Sequence, residues 1–188
     1  IKNVDLENNR KNTWGTGLIF NHEIDSIQNV TVAAGFTRQI SENANKTAYY
    51  SNAYALGLAY NFVHTTYGLD LAHKDTKNKG GAGNKVKNNE VTAVIRQGLN
   101  EDWNVYAMYS YKTEKTLPVG SAYSKSTDRQ FLVGTEYYVF KQGSVKVKPF
   151  IEWQATRTKY ENTFDKDSGK QLDRSRDFKT VIGLRAYW

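Results

Sequence analysis

Polar and apolar residues alternate along most of this chain. In the segment DFKTVIGLRAYW, every second residue is Phe178, Thr180, Ile182, Leu184, Ala186 and Trp188. Between them stand Lys179, Val181, Gly183, Arg185 and Tyr187. A period of two marks a strand with two unlike faces. The same period predicts nine strands, over residues 14–25, 29–40, 52–62, 65–77, 88–99, 103–116, 128–141, 144–160 and 177–188. No amphipathic helical stretch longer than two turns interrupts them. The predicted fold class is all-β and antiparallel.

The predicted connections alternate in length. Short ones fall at Ser26–Gln28, Val63–His64, Asn100–Asp102 and Gln142–Gly143. Long polar ones fall at Ser41–Ser51, Asn78–Lys87, Leu117–Thr127 and Glu161–Arg176. Short turns at one end and long loops at the other is the plan of outer-membrane barrels. Strands of ten or more residues exceed the ~5–6 usual in soluble sheets. They suit the ~9–11 residues that cross a bilayer at a steep tilt. A soluble sandwich shows the same alternation with its apolar face inward, so alternation alone leaves both solvents open. Strand length, loop alternation and aromatics near the strand ends (Trp14, Tyr54, Phe62, Trp103, Tyr111, Trp188) favour lipid. In hydrocarbon every backbone N–H and C=O needs a partner, so a spanning sheet must close into a barrel. The expectation is an antiparallel transmembrane β-barrel.

Composition agrees with that solvent. The 188 residues suggest one domain over 1–188. Hydrophobic residues make up 39%, below the ~45–50% usual in soluble proteins. Thirteen Tyr and four Trp supply rings that place an apolar body in oil and a polar tip in water. No apolar run approaches the ~18 residues of a transmembrane helix. Cysteine is absent, which excludes disulfides and thiolate metal sites. The formal charge of +7 allows nucleic acid, an anionic membrane surface or an anion-favouring lumen as its reason.

Nine is an awkward number. Single-chain bacterial barrels use even strand counts. Either IKNVDLE at the start is a poor tenth strand, or the chain is the C-terminal portion of a larger barrel. The first segment is polar and alternates only at Val4 and Leu6, which favours the second reading. Residues 1–13 are then expected in an extracellular loop, and 177–188 as the closing strand.

Several stretches carry a family resemblance. NAYALGLAYNF is similar to the strand pattern of Gram-negative general porins. GLNEDWNVYAMYSYKTEKT, PFIEWQATRTKYENT and KTVIGLRAYW, in that order, resemble the C-terminal strands of the major porins of Haemophilus and Pasteurella. The terminal aromatic, with apolar residues two apart before it, also resembles the signal such barrels present to the barrel-assembly machinery. The usual last residue is Phe, so Trp188 is a departure. The resemblance covers most of 14–188 and implies the C-terminal half of a sixteen-stranded, homotrimeric outer-membrane diffusion porin. That would be a passive water-filled channel for ions and small hydrophilic solutes, with membrane lipid and lipopolysaccharide as neighbours. The constriction loop of such porins lies in the other half, so no constriction residue is carried over. The closing strand is the one part of this chain expected at the trimer contact.

A channel needs charges around its lumen, because ion selectivity follows rings of charged side chains. Alternation turns Arg96, Lys112, Lys146, Lys148, Lys179 and Arg185 inward, together with Asp70, Glu90, Glu136 and Glu152. Each of these alone reads more readily as a wall charge paired with a neighbour and of little effect on flux. Inward Gly57, Gly68, Gly134 and Gly183 leave room in the interior. Arg157 and Lys159 fall in the outward phase near a strand top, where they could meet lipid phosphates or simply emerge above the membrane. Catalysis would need Asp/His or Ser/His groups converging at the barrel mouth. His64 lies in a short turn at the wrong end and His22 sits toward that end of its strand, which leaves His73 near Asp70 and Asp75, and Asp70 faces the other side of the strand. The reading is therefore not an enzyme, with no cofactor and no metal. Basic residues are scattered rather than gathered with aromatics in one groove, which speaks against nucleic acid. A second class stays open: a small outer-membrane barrel acting as adhesin or structural anchor through its long loops.

Overall fold

The computed structural model of the chain describes residues 10–42, 48–78, 84–118, 123–164 and 169–187. They form ten strands and no helix. The strands are β1 Arg10–Asp25, β2 Gln28–Glu42, β3 Ala48–Phe62, β4 Thr65–Asn78 and β5 Lys85–Gly98, then β6 Trp103–Leu117, β7 Ser124–Tyr137, β8 Phe140–Gln142, β9 Val145–Glu161 and β10 Arg174–Tyr187. All lie in one antiparallel sheet in the order β1-β2-β3-β4-β5-β6-β7-β9-β10, with β8 pairing β9 beside β7. β1 and β10 are its two edges.

All nine predicted strands have counterparts, with three corrections. Residues 10–13 are not loop: β1 begins at Arg10, and Thr13 pairs Gln39. Residues 1–9 and Trp188 lie outside the described residues. The predicted strand 128–141 is two strands, β7 and β8. Between Glu136↔Phe150 and Phe140↔Val147, three residues face two, which is a bulge. It lies opposite Pro149, which has no N–H to give to a ladder. The strands also overrun their predicted loop ends; β7 starts at Ser124 and β10 at Arg174. Those overhangs are polar on both faces, so no hydrophobic period announces them.

Local chemistry fixes the short turns. The Asp25 carboxylate accepts the Ile27 N–H at 2.9 Å. Asn100 Oδ1 accepts the N–H groups of Asp102 at 2.9 Å and Trp103 at 2.8 Å, an Asx turn that reverses the chain within a few residues. Val63 sits at φ 53°, unusual for a β-branched residue. Its N–H donates to Ile27 O in the neighbouring turn at 2.9 Å, which ties two turns together at that end of the sheet.

The sheet is a single layer. Among the described residues no hydrophobic side chain is buried, whereas Ser51, Ser110, Thr127, Glu136 and Lys148 are. That inverts the usual order of a water-soluble fold. The two faces differ: one is apolar across its middle rows and the other is mostly polar. Directly opposite residues share a face. One row across the whole sheet reads Phe20, Val32, Leu58, Leu69, Ala93, Tyr109, Phe131, Ala155, Phe178. The adjacent row on the other face reads Ile19, Ala33, Gly57, Asp70, Thr92, Ser110, Gln130, Thr156, Asp177.

The polar face is the concave one. Strands two apart in a sheet are separated by ~10 Å, yet on that face side chains bridge them. Arg96 on β5 reaches Glu136 on β7, Tyr106 on β6 reaches Glu152 on β9, and Arg185 on β10 reaches Glu136. Such bridges form where side chains converge. On the apolar face the ring series instead runs between neighbouring strands, Trp14–Phe36 at 5.2 Å and Phe36–Tyr54 at 4.9 Å.

Candidate functional site

Register places all ten residues predicted to line a lumen on the concave face: Asp70 on β4, Glu90 and Arg96 on β5, Lys112 on β6, Glu136 on β7, Lys146, Lys148 and Glu152 on β9, and Lys179 and Arg185 on β10. Their environments differ widely. Five form one cluster toward the short-turn end. Two pair or stand alone nearby, and three lie further toward the loops.

Glu136 is the centre of the cluster, 3% exposed. Its Oε1 accepts from Arg96 Nη2 at 2.6 Å and from Lys148 Nζ at 2.7 Å. Its Oε2 accepts from Arg185 Nη1 at 2.7 Å. Arg185 Nη2 also donates to Glu152 Oε1 at 2.8 Å, and the Tyr106 hydroxyl donates to that same oxygen at 2.6 Å. Two carboxylates therefore face three cations, a net charge of +1. Lys148 is 5% exposed, and its ammonium lies 5.1 Å from the Tyr138 ring and 5.3 Å from the Tyr187 ring. Rings of this kind favour a cation through their π faces. Lys148 therefore joins β7 to β9 rather than offering a free charge to the concave space.

Two glycines seat the rings of this cluster. A Cβ on Gly134 would stand 2.5 Å from the Tyr106 ring, and one on Gly183 would stand 2.5 Å from the Phe150 ring. The Arg185 guanidinium lies 4.1 Å from the Phe150 ring centre. These glycines are absent side chains filled by an aromatic from the next strand, not open clearance. Gly134→Val should force Tyr106 off its seat and break its hydrogen bond to Glu152. The expected loss is about 1–3 kcal/mol of folding stability, as for an overpacked site, read as a lower urea midpoint. Gly143→Ala, in a turn with nothing near its Cβ position but φ 58°, tests backbone strain apart from packing.

The remaining predicted residues are freer. Lys179 pairs Asp177 at 3.1 Å. Asp70, Glu90, Lys112 and Lys146 make no ion pair among the described residues. Glu90 lies within 3.4 Å of the Thr92 and Ser110 hydroxyls. The concave face near β2 to β6 encloses a trough of about 450 Å³, lined by Ala53, Ala55, Lys74, Glu90, Lys112 and Glu114 among others. Lys74, Glu114 and Asp128 share this face too; they fall inside the predicted strands 65–77, 103–116 and 128–141, where the same alternation turns them inward. Tyr106 was overlooked, since a lone inward tyrosine carries no signal without its partner Glu152.

The candidate histidine, His73, does not build a catalytic pair with both of its acids. His73 Nε2 is 3.1 Å from Asp75, and Nδ1 is 2.6 Å from Asn89 Oδ1. All three lie on the convex face, while Asp70 lies on the concave one. Among the described residues no group of three His, Cys, Asp or Glu is placed to hold a metal ion.

Fold and faces define the class: an all-β protein built as one curved antiparallel sheet, polar within the curve and apolar outside it. The chain matches no known protein-family model, and no curated protein matches it in sequence.

Proposed function

We propose that this chain is part of an outer-membrane diffusion porin of a Gram-negative bacterium, a passive aqueous channel for ions and small hydrophilic solutes. The carrying observation is the uncovered convex face. Leu18 is 79% exposed and Ile182 76%, and an unbroken apolar row joins all nine spans. Water does not tolerate an apolar patch of that extent, but hydrocarbon does. The polar concave face then looks onto water.

Two further features support the reading. Aromatic residues border the band at both ends, with Trp14, Phe36 and Tyr54 toward the loops and Tyr60, Tyr67 and Trp103 toward the turns. The band also runs obliquely to the register. On β1 it extends from Trp14 to Ile24, centred near residue 19; on β10 it is centred on Ile182, whose row meets β1 at Asp25. A shift of about six residues over eight strand steps, at ~3.3 Å per residue and ~4.8 Å per strand, corresponds to a strand tilt of roughly 30°. Strands of transmembrane barrels tilt ~35–45°. Closure into a barrel of sixteen strands, homotrimeric assembly and recognition by the barrel-assembly machinery belong to this proposal, in keeping with the resemblance to the Haemophilus and Pasteurella porins. Sixteen strands enclose more space than side chains can fill.

Conductance in planar bilayers tests it. Stepwise currents arriving in threes are expected, and a folded protein that inserts silently would favour the anchor reading. Lys112→Glu together with Lys146→Glu should move the reversal potential toward cations, since both lysines face the concave side and neither makes an ion pair among the described residues. Lys148→Glu is a poor test of flux because it breaks the buried pair with Glu136 instead.

A further inference from the structure

The convex face changes character where β6 to β10 approach the long-loop end. One row of directly opposite residues there reads Val91, Tyr111, Arg129, Arg157, Arg176. The apolar row thus ends in three arginines on three adjacent strands. In the next row toward the loops, Lys159 stands opposite Arg174. Glu161 lies 3.8 Å from Lys125 and 3.7 Å from Lys159, and Asp173 lies 3.8 Å from Arg174. Among the described residues no carboxylate pairs with Arg129, Arg157 or Arg176. Like charges directly opposite on neighbouring strands repel. Three of them in register call for an anion between them.

The surroundings say what kind of anion. Arg129 and Arg157 border two hollows on this face. One, about 340 Å³, is walled by Lys125, Lys159 and Arg174 as well, with Glu161 as its one acid. The other, about 300 Å³, is walled by Arg176 and floored by Phe131, Ala155 and Phe178. Cationic walls therefore stand above an apolar floor that continues into the hydrophobic band. A free inorganic ion has no use for that floor; an amphiphile does. The three arginines span about 10 Å across two strand spacings, wider than a single phosphate. Planar guanidinium forks suit phosphate oxygens.

We propose that this patch binds a membrane lipid whose headgroup carries at least two phosphates, held among Arg129, Arg157 and Arg176, with an acyl chain along Phe131 and Phe178. The assignment rests on the reading that the convex face meets lipid. It differs from general attraction of a basic protein to an anionic surface, because it requires register between three strands and one multiply phosphorylated headgroup.

The test is native mass spectrometry of the refolded protein in detergent, titrated with diphosphoryl lipid A, fully dephosphorylated lipid A and phosphatidylglycerol. Diphosphoryl lipid A should bind most tightly. Each interfacial cation removed should cost about fivefold in affinity, so Arg129→Gln/Arg157→Gln/Arg176→Gln should weaken binding about 100-fold. Lys112→Gln, on the concave face, should leave it unchanged. The comparison of the phosphorylated and dephosphorylated lipids on the parent protein needs no variant to fold. Equal binding of the two lipids, equal binding of phosphatidylglycerol, or an unaffected triple variant overturns the site. So does displacement of the lipid by millimolar orthophosphate, which would make it a site for the free ion. Current through the same preparation is recorded separately. A conducting protein without phosphate discrimination sinks this site alone, whereas discrimination without current sinks the pore and leaves the site standing.

Discussion

Replacing Leu58 or Leu69 by Arg should lower the stability of the protein folded in phospholipid vesicles by about 2–4 kcal/mol each, the cost of a guanidinium near the bilayer midplane. The two leucines are directly opposite on β3 and β4, at the middle of the apolar band. Both are more than a third exposed already. In a water-soluble sheet an exposed Leu→Arg is worth only about ±0.5 kcal/mol, so the two solvents predict effects of different size. The double variant should exceed the sum, because like charges directly opposite repel across the ladder. Gln130→Arg on the concave face is the matched control and should shift the urea midpoint little. Ile182→Arg on β10 extends the test to the sheet edge. If Leu58→Arg leaves the midpoint in place, or keeps the chain folded and dispersed in detergent-free buffer, the convex face does not lie in hydrocarbon.

What alternation conveys is the facing of each side chain, and it conveyed that well. β9 illustrates this: Val145, Val147, Ile151 and Trp153 fall on one side, Lys146, Lys148 and Glu152 on the other, as their cross-strand partners on β10 require. Strand length was less legible. Where residues 85–87 and 124–127 overrun the predicted strands, every residue but Val86 is polar, and a strand reads like a loop. The β7–β8 bulge was hidden for the opposite reason. Tyr137, Tyr138, Val139 and Phe140 form an unbroken apolar run in which a change of phase leaves no trace, although Pro149 on the facing strand was a hint. Contacts between strands were beyond reach altogether. Glu136 meets Arg96, Lys148 and Arg185 at sequence separations of 40, 12 and 49, and only curvature brings β5, β7 and β10 together. The arginine row is an intermediate case. Alternation turns Arg157 outward, but that Arg129 and Arg176 stand directly opposite it follows from register, which the loop lengths do not fix.

Glu136→Gln should cost about 3–5 kcal/mol of folding stability, the range for removing one partner of a buried ion pair. The substitution keeps the shape and takes the charge. Three cations then share one remaining carboxylate, Glu152, which only Arg185 touches. The contributions are unequal. Arg96 and Arg185 side chains are 44% and 36% exposed, so water already screens them. Lys148 is 5% exposed and has no other acidic partner among the described residues; it carries most of the loss. Lys148→Met placed on top of Glu136→Gln should therefore restore most of the stability, since it removes the stranded cation while leaving an unbranched chain between Tyr138 and Tyr187. Arg96→Met on the same background should restore far less. The cluster charge rises from +1 to +2 in Glu136→Gln, so in a conducting protein the reversal potential should move toward anions at the same time. Urea midpoints in vesicles for the parent, Glu136→Gln, Lys148→Met and the two substitutions together give the Glu136–Lys148 coupling directly. A midpoint for Glu136→Gln within about 0.5 kcal/mol of the parent would mean that water reaches this carboxylate and that the charge cluster does not hold β5, β7, β9 and β10 in their curve.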